Sequence, residues 1–191
     1  MNLLETIAVI LGIANVALLV RRSIWNYPFG MAMVALYFVI FREARLYGDA
    51  GLQVFFFVMQ GWGWWLWARA GGLGESVPVT WMRPSARIAA LALVAVSSVT
   101  IGWTMARFTD AAMPYADAAI AGGSVVAQVL LAMRRVENWA LWIAVDVLSI
   151  GVYLARGLTL TAGLYVVFLV MATAGLIEWA KAARSGEAVA A

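Results

Sequence analysis

Trp139, Trp142 and Asp146 fall at i, i+3 and i+7 in the run Asn138-Trp139-Ala140-Leu141-Trp142-Ile143-Ala144-Val145-Asp146. At helical spacing one face therefore carries two indoles followed by a carboxylate, and Ser149 and Tyr153 continue the same stripe. Indole faces stack on flat rings and attract positive charge, while a carboxylate supplies a counter-charge or accepts hydroxyl hydrogen bonds. The face suits a flat, cationic, partly polar solute. The residues around Asp146 are apolar enough to lie in hydrocarbon, where an ionised side chain costs a few kcal/mol unless a cavity or partner receives it. That makes Asp146 a functional candidate. The structural alternative is that the tryptophans form an interfacial belt and Asp146 pairs with another helix.

A second run offers a complementary surface. Gln53, Gln60 and Trp67 recur every seven residues, with Phe56, Phe57, Gly63 and Trp64 interleaved, so two carboxamides and several rings share one helix side. These glutamines either contact a solute or bond to a neighbouring helix. Asn15 and Gln128 carry a weaker form of the same signal and are read as bonds between helices. Trp25-Asn26-Tyr27-Pro28 opens a further run, in which Pro28 suits a first helical turn where its missing N–H is not needed. Asn26 and Asn138 serve either as helix caps or as solute contacts. The candidate solute-binding set is thus Trp139, Trp142, Asp146, Asn138, Gln53, Gln60, Trp25, Asn26 and Tyr153.

The elements that must position these residues are membrane helices. With 65% hydrophobic residues, 12% charged residues and a mean hydropathy of +0.90, the chain is far more apolar than a soluble domain. Apolar runs predict seven spans near 3–20, 24–41, 50–68, 86–106, 112–133, 138–155 and 158–180. The breaks carry Arg21-Arg22, Arg42-Glu43-Ala44-Arg45, the Gly/Pro segment from Gly71 to Pro84, Asp110 to Pro114, Arg134-Arg135 and Arg156-Gly157. After Asn2 the chain enters an apolar run interrupted only by Glu5 and Thr6. It has no basic leader or cleavage site, and is read as a first span.

A gapless repeat organises the spans. Residues 22–68 laid over 134–180 at an offset of 112 give 15 identities in 47 pairs, including Ala50-Gly51-Leu52 with Ala162-Gly163-Leu164 and Val58-Met59 with Val170-Met171. Equivalent spans lie four crossings apart, so the copies enter the membrane in the same direction. The fourth span returns the chain, giving a 3+1+3 parallel repeat: a first three-helix unit over 1–70, a loop and linker helix over 71–110, a second unit over 111–184 and a tail over 185–191. End-to-end repeats of this kind point to a transporter whose pathway lies between two similar halves. The Trp139, Trp142 and Asp146 stripe departs from the repeat, since Tyr27, Gly30 and Val34 stand at the equivalent positions, and this asymmetry suggests that one half carries more of the recognition. Arg21, Arg22, Arg69, Arg83, Arg87, Arg134, Arg135, Lys181 and Arg184 fall on one side, against Arg42, Arg45, Arg107 and Arg156 on the other. The positive-inside rule predicts an outside N-terminus, a cytoplasmic C-terminus and a short frayed tail after Lys181.

Composition also excludes functions. There is no His and no Cys, hence no thiolate site and no imidazole ligand, and no paired carboxylates stand in for them. No metal, no cofactor and no enzyme activity are expected. The single lysine, Lys181, lies in no phosphate loop, so ATP does not drive the chain directly. The net charge of +3 comes from short basic clusters between apolar runs, which does not suggest nucleic acid.

Trp25-Asn26-Tyr27-Pro28, the Gln53 to Trp67 helix and Glu137-Asn138-Trp139-x-x-Trp142-x-x-x-Asp146, followed by Tyr153 and Gly157-Leu158, resemble the PnuC family of bacterial vitamin transporters across nearly the whole chain. The resemblance implies a fold similar to SWEET sugar transporters, a bacterial inner-membrane location, facilitated diffusion of nicotinamide riboside, trapping of the solute by a cytoplasmic kinase and a homotrimer. Related subgroups carry thiamine or riboflavin. Nicotinamide riboside and thiamine are both flat-ringed cations that fit the Trp-Trp-Asp face. The ribose favours the first, because Gln53, Gln60, Asn138 and Asp146 offer hydroxyl partners. Thiamine is the alternative, and riboflavin, neutral and larger, gains less from Asp146.

Overall fold

The computed structural model describes residues 3–43, 47–71 and 77–190. Asn2, Ala44, Arg45, the middle of the Gly71-to-Pro84 segment, Ala191 and the Glu5 side chain lie outside what is described. Among the described residues seven α-helices form: α1 (Leu3–Val20), α2 (Asn26–Glu43), α3 (Tyr47–Arg69), α4 (Pro84–Phe108), α5 (Pro114–Ala132), α6 (Asn138–Ala155) and α7 (Thr159–Ala190). Four stretches, Pro84–Phe108, Pro114–Ala132, Asn138–Ala155 and Thr161–Ser185, are each long and apolar enough to cross a bilayer. The protein is an all-helical, multi-pass membrane protein. Pro84 and Pro114 open their helices where no N–H is required. Gly71 and Gly157, at φ of 88° and 74°, follow the ends of α3 and α6 in the left-handed conformation. α7 departs from expectation: it runs on to Ala190, where the sequence suggested a frayed tail after Lys181. The added residues are rich in Ala, the strongest helix former, and no proline interrupts them.

The chain divides into two compact units, residues 1–78 with 185–191, and residues 79–184. In the first unit α1 packs on α2 and α2 on α3. Asn15 Nδ2 donates to the Asn26 carbonyl at 2.7 Å, fastening α1 to the start of α2. Tyr27 and Trp67, both fully buried, meet edge to face with ring centroids 5.3 Å apart and an interplanar angle of 89°. The pair is seated over Gly63, where a Cβ would lie 2.6 Å from the Tyr27 hydroxyl.

In the second unit α4 packs on α5 and α5 on α6. Three glycines make those approaches possible. A Cβ on Gly102 would lie 2.5 Å from Tyr115, one on Gly122 2.6 Å from Ser97 Oγ, and one on Gly123 2.8 Å from a Val145 methyl. Trp139 and Trp179 meet edge to face at 5.5 Å and 88°, over Gly175. These three positions lie 112 residues after Tyr27, Trp67 and Gly63.

The chain reversals before α2 and α6 have the same form. Arg22 and Arg134, again 112 apart, adopt φ of 56° and 60°. In each turn two N–H groups return to the preceding helix: Arg22 to the Leu19 carbonyl at 2.9 Å and Ser23 to Leu18 at 3.0 Å, then Arg134 to Leu131 at 2.9 Å and Arg135 to Leu130 at 2.9 Å. This is the Schellman arrangement, with an arginine where glycine is usual. Arginine bears a backbone cost of roughly 1–2 kcal/mol there, and its charge is favourable beside the exposed carbonyls of a helix end. The extended segment before α4 bonds back to these turns. In the first unit Val77 N–H reaches the Arg22 carbonyl at 3.3 Å. In the second, Thr80 N–H reaches the Arg134 carbonyl and Val136 N–H the Thr80 carbonyl, both at 3.1 Å.

Candidate functional site

α6 begins at Asn138 and ends at Ala155, and along one side it carries Asn138, Trp142, Asp146 and Ser149. Asp146 is only 4% exposed, yet no hydrogen bond or ion pair to its carboxylate occurs among the described residues. An ion so placed costs several kcal/mol unless a ligand or water completes it. Ser149 is wholly buried and its hydroxyl lacks a partner. The contrast within this unit is informative: Ser97, Ser98, Thr104 and Thr173 each bond back to a carbonyl of their own helix. Membrane hydroxyls that face hydrocarbon normally do so, and Ser149 does not. Trp142 is half-buried, and Tyr153, also half-buried, lies against Tyr165 at 5.2 Å.

Two predicted contacts have structural duties. Trp139 is 1% exposed and packs on Trp179, so it is neither an interfacial belt residue nor an open stacking surface; its Nε1–H alone is unpartnered. Asn138 Nδ2 donates to the Arg135 carbonyl at 2.6 Å, and Asn26 Nδ2 makes the equivalent bond to Ser23 at 2.7 Å. Both asparagines brace the turn that precedes their helix, without a side-chain cap to a helix N–H. The Oδ1 atom of Asn138 remains buried and unpaired.

In the first unit Gln60 is buried with its Oε1 unsatisfied, while Gln53, two turns earlier on α3, is half-buried. Gly30 makes the room: a Cβ there would collide with the carboxamide of Gln60 and lie 2.7 Å from Asn15 Nδ2. At the positions 112 residues on stand Trp142, Ala172 and Ala127. Glycine with two amides in one unit is thus replaced by tryptophan with two alanines in the other. Trp25 is 63% exposed, and its backbone N–H donates to Ser23 Oγ at 3.4 Å.

In the sequence the segment before α4 reads only as a break, and Glu137 only as part of a motif. Glu137 accepts the Met82 N–H at 2.9 and 3.1 Å and the Arg87 Nε–H at 2.7 Å, and Arg135 donates to Thr80 Oγ1 at 2.6 Å. An acid immediately before Asn138, in a chain whose acids are few, was the available signal. Asp117, in the first turn of α5, and Arg156, at the C-terminus of α6, pair at 2.6 Å and tie the two helices together at one end of their antiparallel pair. Arg69 covers Trp65 at 4.1 Å. A cleft of about 420 Å³ lies between Met113 to Ala116 and the α6 residues Val147, Leu148, Gly151 and Val152; it is apolar and excludes the Asp146 side of the helix. Among the described residues no cluster of acids could hold a metal ion.

The family model described as nicotinamide mononucleotide transporter matches residues 2–181. The nicotinamide riboside transporter PnuC of Escherichia coli (strain K12) is 28% identical over 206 residues, covering 95% of this chain and 86% of its own. The riboflavin/roseoflavin transporter RibM of Streptomyces davaonensis is 30% identical over 176 residues, covering 89% of this chain and 81% of its own. A crystal structure of the vitamin B3 transporter PnuC superposes with a TM-score of 0.77 at 28% identity, over 95% of this chain and 82% of the other. With the family model spanning almost the entire sequence, the chain belongs to the PnuC family of membrane transporters, the nicotinamide mononucleotide transporter family.

Proposed function

We propose that this protein carries nicotinamide riboside across the bacterial cytoplasmic membrane by facilitated diffusion, and that a cytoplasmic kinase traps the solute. The observation that carries the reading is Asp146: a carboxylate buried in a membrane helix, unpaired, beside Trp142 and Ser149 on one helix side. A cation with a flat ring and hydroxyl groups supplies what each of these lacks. The names of the E. coli relative and of the solved vitamin B3 transporter support the same solute. RibM provides a reason to test riboflavin, and thiamine shares the cationic ring.

The arrangement we favour is a 3+1+3 parallel repeat of the SWEET type, with units over 1–70 and 111–184 and a linker between them. It is supported by the paired arginine turns, the paired asparagine braces and the two buried ring pairs, all at the same offset. The count of basic residues supports an outside N-terminus and a cytoplasmic C-terminus, and a homotrimer follows from the family resemblance. Calorimetry on the purified protein with nicotinamide riboside, thiamine and riboflavin, repeated on Asp146→Asn and Trp142→Ala, tests the solute. Nicotinamide riboside is expected to bind, and to bind at least about tenfold more weakly to each variant, the loss that follows from removing one charged or stacking partner. Tighter binding of either other vitamin refutes the assignment. Uptake abolished by dissipating the proton gradient, with the kinase active, refutes facilitated diffusion.

A further inference from the structure

We infer that Gln128, on α5, is a specificity-determining residue that reads the carboxamide of nicotinamide riboside, its Nε2–H donating to the carboxamide oxygen. The inference rests on the solute named above. Gln128 is 5% exposed in an apolar helix, and its Nε2 atom has no partner among the described residues. A membrane glutamine that served as a bond between helices would use that donor.

Helix geometry places Gln128 with the known candidates. Gly123 meets Val145, which fixes the register of the antiparallel α5 and α6. From that contact, at about 100° per residue, Ser124 and Gln128 lie about 100° and 140° round α5, and Trp142 and Asp146 about 60° and 100° round α6. Because the two helices run in opposite directions, these rotations carry both sets to the same side of the pair. The exposed residues Ala144, Leu148 and Gly151 fall on the other side, as this geometry requires. Along the axis, Gln128 is level with the first turns of α6, where Trp142 stands and where Asn138 Oδ1 and Trp139 Nε1 are also unpartnered. Asp146 is level with Gly122, six positions or about 9 Å away. A nucleoside laid along this side with its ring on Trp142 brings its ring substituent to Gln128 and its sugar hydroxyls to Asp146. Only the substituent end of the ring differs between nicotinamide riboside and a plain ribosylpyridinium, so that end is where Gln128 acts.

The test is binding to the purified full chain by calorimetry, with nicotinamide riboside and with the N-ribosylpyridinium that lacks the carboxamide, on wild type, Gln128→Met and Gln128→Asn. The methionine variant keeps the shape and removes the donor; the asparagine variant keeps the amide and withdraws it by one methylene. Both are expected to weaken nicotinamide riboside about tenfold, the size of one lost hydrogen bond between neutral groups, while changing ribosylpyridinium less than about twofold. Equal losses for the two ligands, or none, overturn the inference, since a packing role does not distinguish them. If Gln128→Met does not fold, Gln128→Asn carries the same comparison. Wild-type protein that binds neither riboside overturns the transport reading and this one together, whereas wild-type binding with parallel losses overturns this one alone.

Discussion

Gly163 and Gly175 lie on the same helix, α7, yet one added methyl group has opposite consequences at the two positions. At Gly163 nothing stands within 4 Å of a new Cβ. The change to alanine there acts through helix propensity alone and stabilises by up to about 1 kcal/mol. At Gly175 the Cβ would lie 2.5 Å from Cε2 and Cζ2 of Trp139 and 2.7 Å from Cδ2. That is about 1 Å inside the usual carbon contact of roughly 3.5–4.0 Å. The indole has nowhere to retreat, because it is fully buried and held edge-on by Trp179. Overpacking of this kind costs about 1–3 kcal/mol. The propensity gain is common to both variants, so Gly175→Ala is expected to be less stable than Gly163→Ala by about 1–3 kcal/mol, or roughly 2–10 °C in melting temperature for a chain of this size. Gly63→Ala and Gly51→Ala repeat the comparison in the first unit, where the Tyr27 ring is the obstacle and Gly51 is open. The assay is thermal unfolding of the detergent-solubilised protein, followed by tryptophan fluorescence. A Gly175→Ala protein that melts with or above Gly163→Ala refutes the packing argument.

Two further expectations follow from the contacts described. Gly30→Ala pushes into the Gln60 and Asn15 amides and is expected to lower the melting temperature by a few degrees, with about 1–3 kcal/mol of overpacking behind it; Gln60→Ala in the same chain recovers most of the loss, and a melting temperature unchanged by the second substitution refutes the collision. Glu137→Ala removes the acceptor for both Met82 and Arg87, costing about 1.5–3 kcal/mol for the charged hydrogen bonds, whereas Arg87→Ala removes one half-exposed partner at a cost below about 1 kcal/mol. Melting curves at low and high salt separate the two, since only the Arg87 contribution fades with salt.

Much of the architecture was legible because lipid imposes a simple rule: a helix needs about 20 apolar residues, and the charges fall between helices. α6 was read to the residue, since Asn138 follows Glu137 at one end and Arg156-Gly157 closes the other. The role of Trp139 was not legible, because a helical wheel reports which side a residue occupies and not which neighbour covers it. Its cover, Trp179, is 40 residues away. The repeat did contain the clue. Gly63 and Gly175 are identical, Trp67 and Trp179 are identical, and Tyr27 and Trp139 are both aromatic, so what the copies retain is the packing. What they exchange is Gly30 for Trp142, Val34 for Asp146, Gln60 for Ala172 and Asn15 for Ala127. Polar and bulky groups concentrate at the exchanged positions. Gln128 was read as a bond between helices because sequence cannot show whether an amide finds its partner; its empty donor became visible only with coordinates.

The glycine seats between α4 and α5 bear on how such chains can be recombined. A helix that served only to return the polypeptide across the bilayer would be interchangeable with any apolar helix of its length. α4 is not, because Gly102 must accommodate Tyr115 and Ser97 must fit the gap at Gly122. Its outward side, carrying Ile88, Leu91, Val96 and Val99, accepts any oily substitute, while two of its positions are matched to a single neighbour. A chimera that borrows this helix from a relative therefore inherits a steric mismatch unless α5 travels with it, and the heritable module is the hairpin of the two.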